Sequence, residues 1–143
     1  MYMLVRPLKE DDLFRGFLDA LENLKPVGNL SQDGALAIFR KITANPDHLI
    51  LVAVVGEYIV GAVTVLFEQK FIRGGAVAAH IEDVVTCRGW EGRGVASTLV
   101  SAAVAEAKRR ECYKVVLGCE RNLSRFYEQF GFETAGDAMR LYL

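Results

Sequence analysis

Between an apolar run (Ile81, Val84, Val85) and a stretch of helical periodicity lies the segment Glu91-Gly92-Arg93-Gly94-Val95-Ala96. Two glycines before a helix start let the backbone come close to an anion. The first free N–H groups of the helix, at the positive end of its dipole, then point at whatever docks there. A pyrophosphate fits that geometry, whereas a glycine pair without such context would only relieve a tight strand-to-helix turn. The nucleotide motifs are not matched. A P-loop closes on Gly-Lys-Ser/Thr, and here the residues are Gly94-Val95-Ala96-Ser97. A dinucleotide fingerprint needs a third glycine early in the fold, and Ser97 stands there, late in the chain. Downstream, Tyr113 to Leu117 reads as a buried strand, and Asn122 as the N-cap of a helix from Leu123 to Phe130 closed by Gly131. That helix carries Phe126 and Tyr127, and a phenol beside an anion cradle is a candidate proton donor.

The elements that must position these groups are legible in the spacing. Met3 to Pro7 is strand-like. Leu13, Phe14, Phe17, Leu18 and Leu21 recur at helical spacing from about Asp11, the expected cap. Ser31 starts a second helix with Leu36, Phe39 and Ile42 facing inward. The period then becomes extended: Leu49 to Val55, a turn at Gly56-Glu57 and Tyr58 to Phe67 predict a hairpin. A strand at His80 to Thr86, a long helix from Val95 to Arg110, the Tyr113 strand, the Tyr127 helix and a terminal strand at Ala138 to Leu143 complete the order. The fold class is α+β with a mixed central sheet. In the long helix Val95, Leu99, Val100, Ala103, Val104 and Ala107 form a packing stripe. Lys108, Arg109 and Arg110 lie where the dipole favours cations and need no ligand.

Bulk properties bound the function. A chain of 143 residues suits one domain over 1–143, able to bury roughly two thirds of its unfolded surface. Seventeen basic against eighteen acidic residues leave a net charge of −1, too balanced for a dedicated nucleic-acid surface. No apolar stretch is long enough to span a bilayer, and Arg6, Lys9 and the acids after them interrupt any signal-like core. A soluble, cytoplasmic protein is expected. Cys87, Cys112 and Cys119 lack zinc-site spacing and read as reduced thiols, so no metal is expected.

The cradle, with Phe126-Tyr127 and Gly131-Phe132, resembles the GNAT superfamily of acetyl-CoA-dependent N-acetyltransferases, whose cradle reads Arg/Gln-x-x-Gly-x-Gly/Ala. Four runs look like the glucosamine 6-phosphate N-acetyltransferase family: Glu68-Gln69-Lys70-Phe71-Ile72, His80-Ile81-Glu82-Asp83-Val84, Cys112 to Leu117, and Phe126 to Phe132. Fainter similarity extends from Val5-Arg6-Pro7-Leu8 and Val27-Gly28 to Met139. The resemblance implies a mostly antiparallel sheet flanked by helices and splayed at the cofactor site. It implies acetyl transfer from acetyl-CoA to the amine of D-glucosamine 6-phosphate, by direct attack in a ternary complex, in amino-sugar (UDP-N-acetylglucosamine) biosynthesis. Cofactor contacts fall on Val84, Val85, Glu91, Gly92, Arg93, Gly94, Val95, Ala96 and Tyr127, and catalysis on Tyr127 and Gly118. Substrate contacts fall on Lys25, Lys70, Phe71, Ile72, Arg73, Glu82, Asp83 and Lys114, with Lys70 and Arg73 in a loop from Glu68 to His80. The family forms homodimers in which the C-terminal strand pairs with the partner, and Met139 to Leu143 is apolar enough to do so.

Two positions depart from that pattern. Glu91 replaces the usual Arg or Gln, which sets a carboxylate beside the pyrophosphate; with Arg88 and Arg93 nearby, it is expected to face outward. Gly118 replaces an acidic residue next to the reacting amine, so either its backbone carbonyl serves or the group is missing. Glu120 is close in sequence but leaves in another direction. Asn122 is displaced by one position from the family's asparagine and is read as a cap. His80 is given no role, and Cys119 reads as a small buried side chain. A different amine acceptor, such as an amino acid, polyamine or protein terminus, would keep the cradle and Tyr127 without needing Lys70 and Arg73, and an acid-rich site would favour it. A non-catalytic acyl-CoA-binding module is the other class.

Overall fold

Three long runs rich in β-branched residues, His48–Val55 (β2), Tyr58–Gln69 (β3) and Val77–Thr86 (β4), form the centre of a sheet. Leu4–Pro7 (β1) lies along β2, Lys114–Leu117 (β5) lies along β4, and the spatial order is β1-β2-β3-β4-β5. The computed structural model describes residues 2–143. All neighbours are antiparallel except β4 and β5, which run parallel. That is the mixed, mostly antiparallel sheet expected from the sequence.

Helices cover both faces. On one, Val95–Arg109 (α4) lays Val95, Leu99, Ala103 and Ala107 on Leu51, Val63, Val65, Ala79 and Ile81. On the other, Phe17–Glu22 (α1) and Gln32–Thr43 (α2) bring Phe17, Ala20 and Ala35 onto Ile50, Val52, Ile59 and Val85. Burying a side chain of Leu or Val size contributes about 1.5–3 kcal/mol. Ser31 caps α2 as expected, its hydroxyl accepting the Gly34 N–H at 3.0 Å. A single glycine sets how closely α4 sits. A Cβ on Gly61 would lie 2.5 Å from Val95 Cγ1 and 2.9 Å from the Val85 carbonyl oxygen, so the start of α4 can meet β3 and β4 only because that carbon is absent.

The first helix differs from expectation. It opens as a 3-10 turn over Glu10–Phe14 and breaks at Gly16 (φ 106°), where any side chain would strike the Ile59 carbonyl at 2.7 Å. Asp12, rather than Asp11, ties its start: Asp12 Oδ2 accepts the Lys9 N–H, and Arg6 donates to both carboxylate oxygens at 2.7 and 2.9 Å. Asp12 is buried, and burial alone would raise its carboxyl; the Arg6 hydrogen bonds and charge outweigh this and hold it below the ordinary value. Removing Arg6 strands that charge, so Arg6→Ala is expected to cost about 3 kcal/mol, the scale for a broken buried pair. A folded value depressed below the unfolded one supports the fold above about pH 4, and that support fades as pH falls through the folded value. Thermal melts at pH 7 and pH 3 read both: the gap between wild type and Arg6→Ala should narrow at the lower pH.

The terminal strand expected at Ala138 to Leu143 is not formed, and Met139, Leu141, Tyr142 and Leu143 are exposed. A strand is held by its ladder, and among the described residues this segment pairs with none of the five strands, although β1 and β5 each keep one free edge. The predicted loop from Glu68 to His80 is shorter than expected, because β3 runs on to Gln69 and β4 begins at Val77. Gln69 faces Val77, leaving one irregular turn, Ile72–Gly75 (α3), in which Arg73 (φ 53°) and Gly74 (φ 68°) are left-handed.

Candidate active site

The sheet opens where β4 and β5 part. Their ladder runs from Ala78 opposite Lys114 to Ile81 opposite Leu117 and stops, while β4 continues to Thr86 with β3 as its only partner. An irregularity falls at the same point. Ala62 faces Val85 and Thr64 faces Glu82, so Asp83 and Val84 together oppose Val63, and Asp83 adopts φ 50°. Such a bulge bends the strand and re-aims the residues beyond it. Val84 then packs toward the α4 face and Val85 toward the α1–α2 face, and one edge of residues 82–86 is open.

Beyond β4 the chain forms the cradle. Gly92 (φ 74°) and Gly94 (φ 79°) take left-handed conformations, and no atom lies within 4 Å of where a Cβ would stand on either. Gly94 is the N-cap of α4, and no side chain caps the helix. Thr98 N–H to Gly94 C=O is the first intrahelical bond, so the N–H groups of Val95, Ala96 and Ser97 have no helical acceptor. A hollow of about 290 Å³ lined by Trp90, Gly92, Gly94, Ala96 and Phe126 lies over these donors. Arg93 stacks on the Trp90 ring at 4.8 Å and keeps a cation at its rim. A phosphate-bearing ligand fits this arrangement: open space at two glycines, donors in a row and a helix dipole behind them.

Glu91 is drawn back onto the chain. Oε2 accepts the Gly89 N–H at 2.7 Å and Oε1 accepts from Asn23 Nδ2 at 3.2 Å. Hydrogen bonds from its own backbone N–H, from Gly89 and from Asn23, with the charge of Arg88, hold its carboxyl below the ordinary range. The carboxylate thus turns toward the loop instead of pointing simply outward.

Past the splay, Arg121–Leu123 forms a 3-10 turn and Ser124–Glu128 (α5) a short helix. Asn122 lies inside the turn and caps nothing, and Glu120 precedes it without a side-chain cap. Gly131 (φ 93°) closes the segment as expected. Tyr127 is buried, with its ring edge-on to Phe126 (4.9 Å between centroids) and Phe132 (6.0 Å). Burial pushes its phenol up from the ordinary value, and Cys119 adds to the shift. It lines a cavity of about 560 Å³, together with Gly118, Cys119, His80 and Glu82. At Gly118 a Cβ would meet nothing within 4 Å, so the wall there is open backbone.

Of the remaining predicted contacts, Glu82 shares the Tyr127 cavity and the others do not line it. Glu82 lines the cavity and Asp83 forms the bulge beside it. Lys70 pairs with Glu68 at 3.0 Å, and Glu68 meets His80 at 2.9 Å on the cavity wall. Those two bonds, the His80 one foremost, keep Glu68 below the ordinary carboxylate value. Arg73 (4.8 Å) and Lys114 (5.4 Å) both lie over the Tyr113 ring. Tyr113 is at the far end of β5 from Gly118, five steps or roughly 16 Å away at about 3.3 Å per residue. Phe71 and Ile72 are exposed at the turn, and Lys25 is exposed just past α1. Sequence reasoning missed Arg121, Glu128, Glu133 and Asp137 on the cavity wall, and also Asn23, whose side chain reaches partners 63 and 68 residues away. No spacing rule reports contacts of that range. Cys119 is exposed to the cavity rather than buried.

An uncapped helix N-terminus past the end of β4 and a tyrosine-lined cavity beside β5, both bordering the open edge of residues 82–86, are the layout of a group-transfer domain. The chain belongs to the acetyltransferase (GNAT) family, which it matches over residues 12–132. It is 38% identical to glucosamine 6-phosphate N-acetyltransferase 1 of Oryza sativa subsp. japonica, over 96% of this chain and 86% of the rice protein. It is 28% identical to glucosamine 6-phosphate N-acetyltransferase 1 of Dictyostelium discoideum, over 96% of this chain and 89% of that one. The crystal structure of glucosamine-6-phosphate N-acetyltransferase from Arabidopsis thaliana superposes with a TM-score of 0.95 at 29% identity, covering 99% of both chains. The resemblance read from the sequence is borne out.

Proposed function

We propose that this protein transfers the acetyl group of acetyl-CoA to the amine of D-glucosamine 6-phosphate, giving N-acetylglucosamine 6-phosphate and CoA. The observation that supports the reading is the splay: the tyrosine-lined cavity borders the open strand edge at Glu82, and the hollow over the uncapped helix N-terminus borders it at Thr86. Kinship to enzymes of that name, over nearly the whole chain, supports the choice of acceptor. The N–H groups of Gly92 to Ala96 hold the pyrophosphate, with Arg93 at the rim. Backbone groups of Val84 and Val85 pair with the pantetheine arm and polarise the thioester carbonyl. The amine, held neutral against the acetyl carbon with its proton directed to the Gly118 carbonyl, attacks directly. The C–N bond forms, the C–S bond breaks, and Tyr127 gives its proton to the departing thiolate; the nitrogen sheds its proton to water in the open cavity and the phenol is reprotonated from solvent, so the protons balance and no acyl-enzyme is needed.

Glu82 and Asp83 orient the sugar. Lys25, Lys70, Phe71, Ile72, Arg73 and Lys114 serve its phosphate side. Because Arg73 and Lys114 lie at the Tyr113 end of β5, a strand's length from Gly118, they act across a homodimer whose C-terminal segments pair with the partner's sheet. A sedimentation mass of one chain at micromolar concentration would remove that part of the proposal. The protein works as one cytoplasmic acetyltransferase domain.

One observation favours a second reading. Glu82, Glu128, Glu133 and Asp137 line the cavity against Arg121 and His80, an acid-rich wall suited to a cationic amine that carries no phosphate. Thiol release from acetyl-CoA across glucosamine 6-phosphate, glucosamine, amino acids and polyamines decides between them. A kcat/KM for the sugar phosphate at least about a hundredfold above that for glucosamine, the size of two charge-assisted contacts, is the expected result. Preference for a polyamine would replace the acceptor and keep the acetyl donor.

A further inference from the structure

Asn23 lies just past the C-terminal end of α1, on the helical layer, yet its amide spans to the loop that builds the cradle. Nδ2 donates to the Thr86 carbonyl at 2.7 Å, where β4 ends, and to Glu91 Oε1 at 3.2 Å. Glu91 Oε2 in turn accepts the Gly89 N–H at 2.7 Å. A carbonyl and a carboxylate can only accept, so the NH2 end of the amide must face them and its orientation is fixed. The chain of bonds therefore runs from helix layer to strand end to loop, with both carboxylate oxygens engaged. Trp90 N–H closes the same turn onto the Cys87 carbonyl at 3.0 Å.

We propose that Asn23 and Glu91 are positioning residues for the donor site: together they brace the segment from Thr86 to Glu91 so that the cradle stands open before its ligand arrives. The proposal rests on the acetyl-CoA reading of that site. It reverses the simple electrostatic expectation for Glu91. A carboxylate next to a pyrophosphate would weaken binding by repulsion, and removing its charge would then tighten it. A carboxylate spent on Gly89 and Asn23 does the opposite: its removal frees the loop, and the ligand must then order it, which costs affinity.

Titration of CoA into the purified full chain, with initial rates for acetyl-CoA and acceptor, reads the sign. Asn23→Ala alters no charge and leaves the cradle residues in place. It is expected to raise the CoA Kd and the acetyl-CoA KM about five- to tenfold, the worth of one or two hydrogen bonds, with kcat at saturation and acceptor KM within about twofold. Glu91→Gln keeps one carbonyl oxygen as acceptor and should weaken CoA less than Glu91→Ala. The double variant Asn23→Ala/Glu91→Ala should fall short of the sum, because the two act through one chain of bonds. An Asn23→Ala protein that melts lower with unchanged CoA affinity, or a Glu91→Gln protein that binds CoA more tightly, would overturn the brace. Amide exchange at Gly89 in the free protein gives a readout independent of the ligand. Asn23→Ala should speed it through Glu91, and an unchanged rate counts against the brace even if wild type binds no CoA, an outcome that would itself retire the donor reading.

Discussion

Replacing Tyr127 with Phe is expected to lower kcat for thiol release by about 10²–10⁴-fold, the range for a positioned general acid. The ring is packed edge-on between Phe126 and Phe132 and is only 8% exposed, so phenylalanine keeps the shape and the contacts and removes one oxygen. Far-UV circular dichroism and the melting midpoint should therefore stay close to wild type. Burial raises the phenol pKa in the folded protein, with Cys119 adding to the shift. A raised value favours the protonated form, so the donor keeps its proton through neutral pH and beyond the ordinary tyrosine value of about 10. The pH profile of wild-type kcat should show no fall from this group below that value. Turnover unchanged in Tyr127→Phe would remove Tyr127 from proton transfer.

Gly94→Val carries the second large effect, and it falls on the donor. The residue sits at φ 79°, where a side chain costs about 1–2 kcal/mol, and a β-branched one more. Its Cβ would stand where no protein atom lies within 4 Å, in the space over the α4 N–H groups. Strain and obstruction add, and the acetyl-CoA KM is expected to rise about a hundredfold, as a loss near 3 kcal/mol would give. Acceptor KM should move little, since Gly94 lines the smaller cavity alone. Gly94→Ala should fall between wild type and valine. Equal acetyl-CoA KM in all three would mean that the pyrophosphate lies elsewhere.

Legibility in the sequence tracks the range of the forces involved. Strands β2 and β3 and the helix α4 were legible because apolar period and turn glycines are local signals, and Ser31 announced a cap that the structure contains. Gly16 was not legible as a helix break, because its reason is the Ile59 carbonyl 43 positions away in sequence (59 − 16), brought near only by folding. Asp11 and Asp12 are equally good caps by type, and only Arg6 on the neighbouring strand selects the second. The cradle could be read from Gly92 and Gly94, yet nothing near Asn23 foretold its bonds to Thr86 and Glu91. The bulge at Asp83 likewise comes from pairing against Val63, and an aspartate in an apolar strand does not declare a positive φ. The apolar C-terminal run promised a strand, and a strand needs a neighbour as well as a composition.

On α5, Phe126 faces the hollow above the cradle and Tyr127 the larger cavity. Consecutive helical residues point about 100° apart, so one step along the helix turns from the hollow to the cavity and, on the proposed reading, from the acetyl-CoA wall to the proton donor. The rotational phase of this short helix is thus part of the site. Adding or deleting one residue between Leu117 and Ser124 would turn α5 by that same angle, or force the chain to strain against it, and exchange what each compartment sees. Substitutions in that connection preserve the phase, so its length is under tighter constraint than its composition.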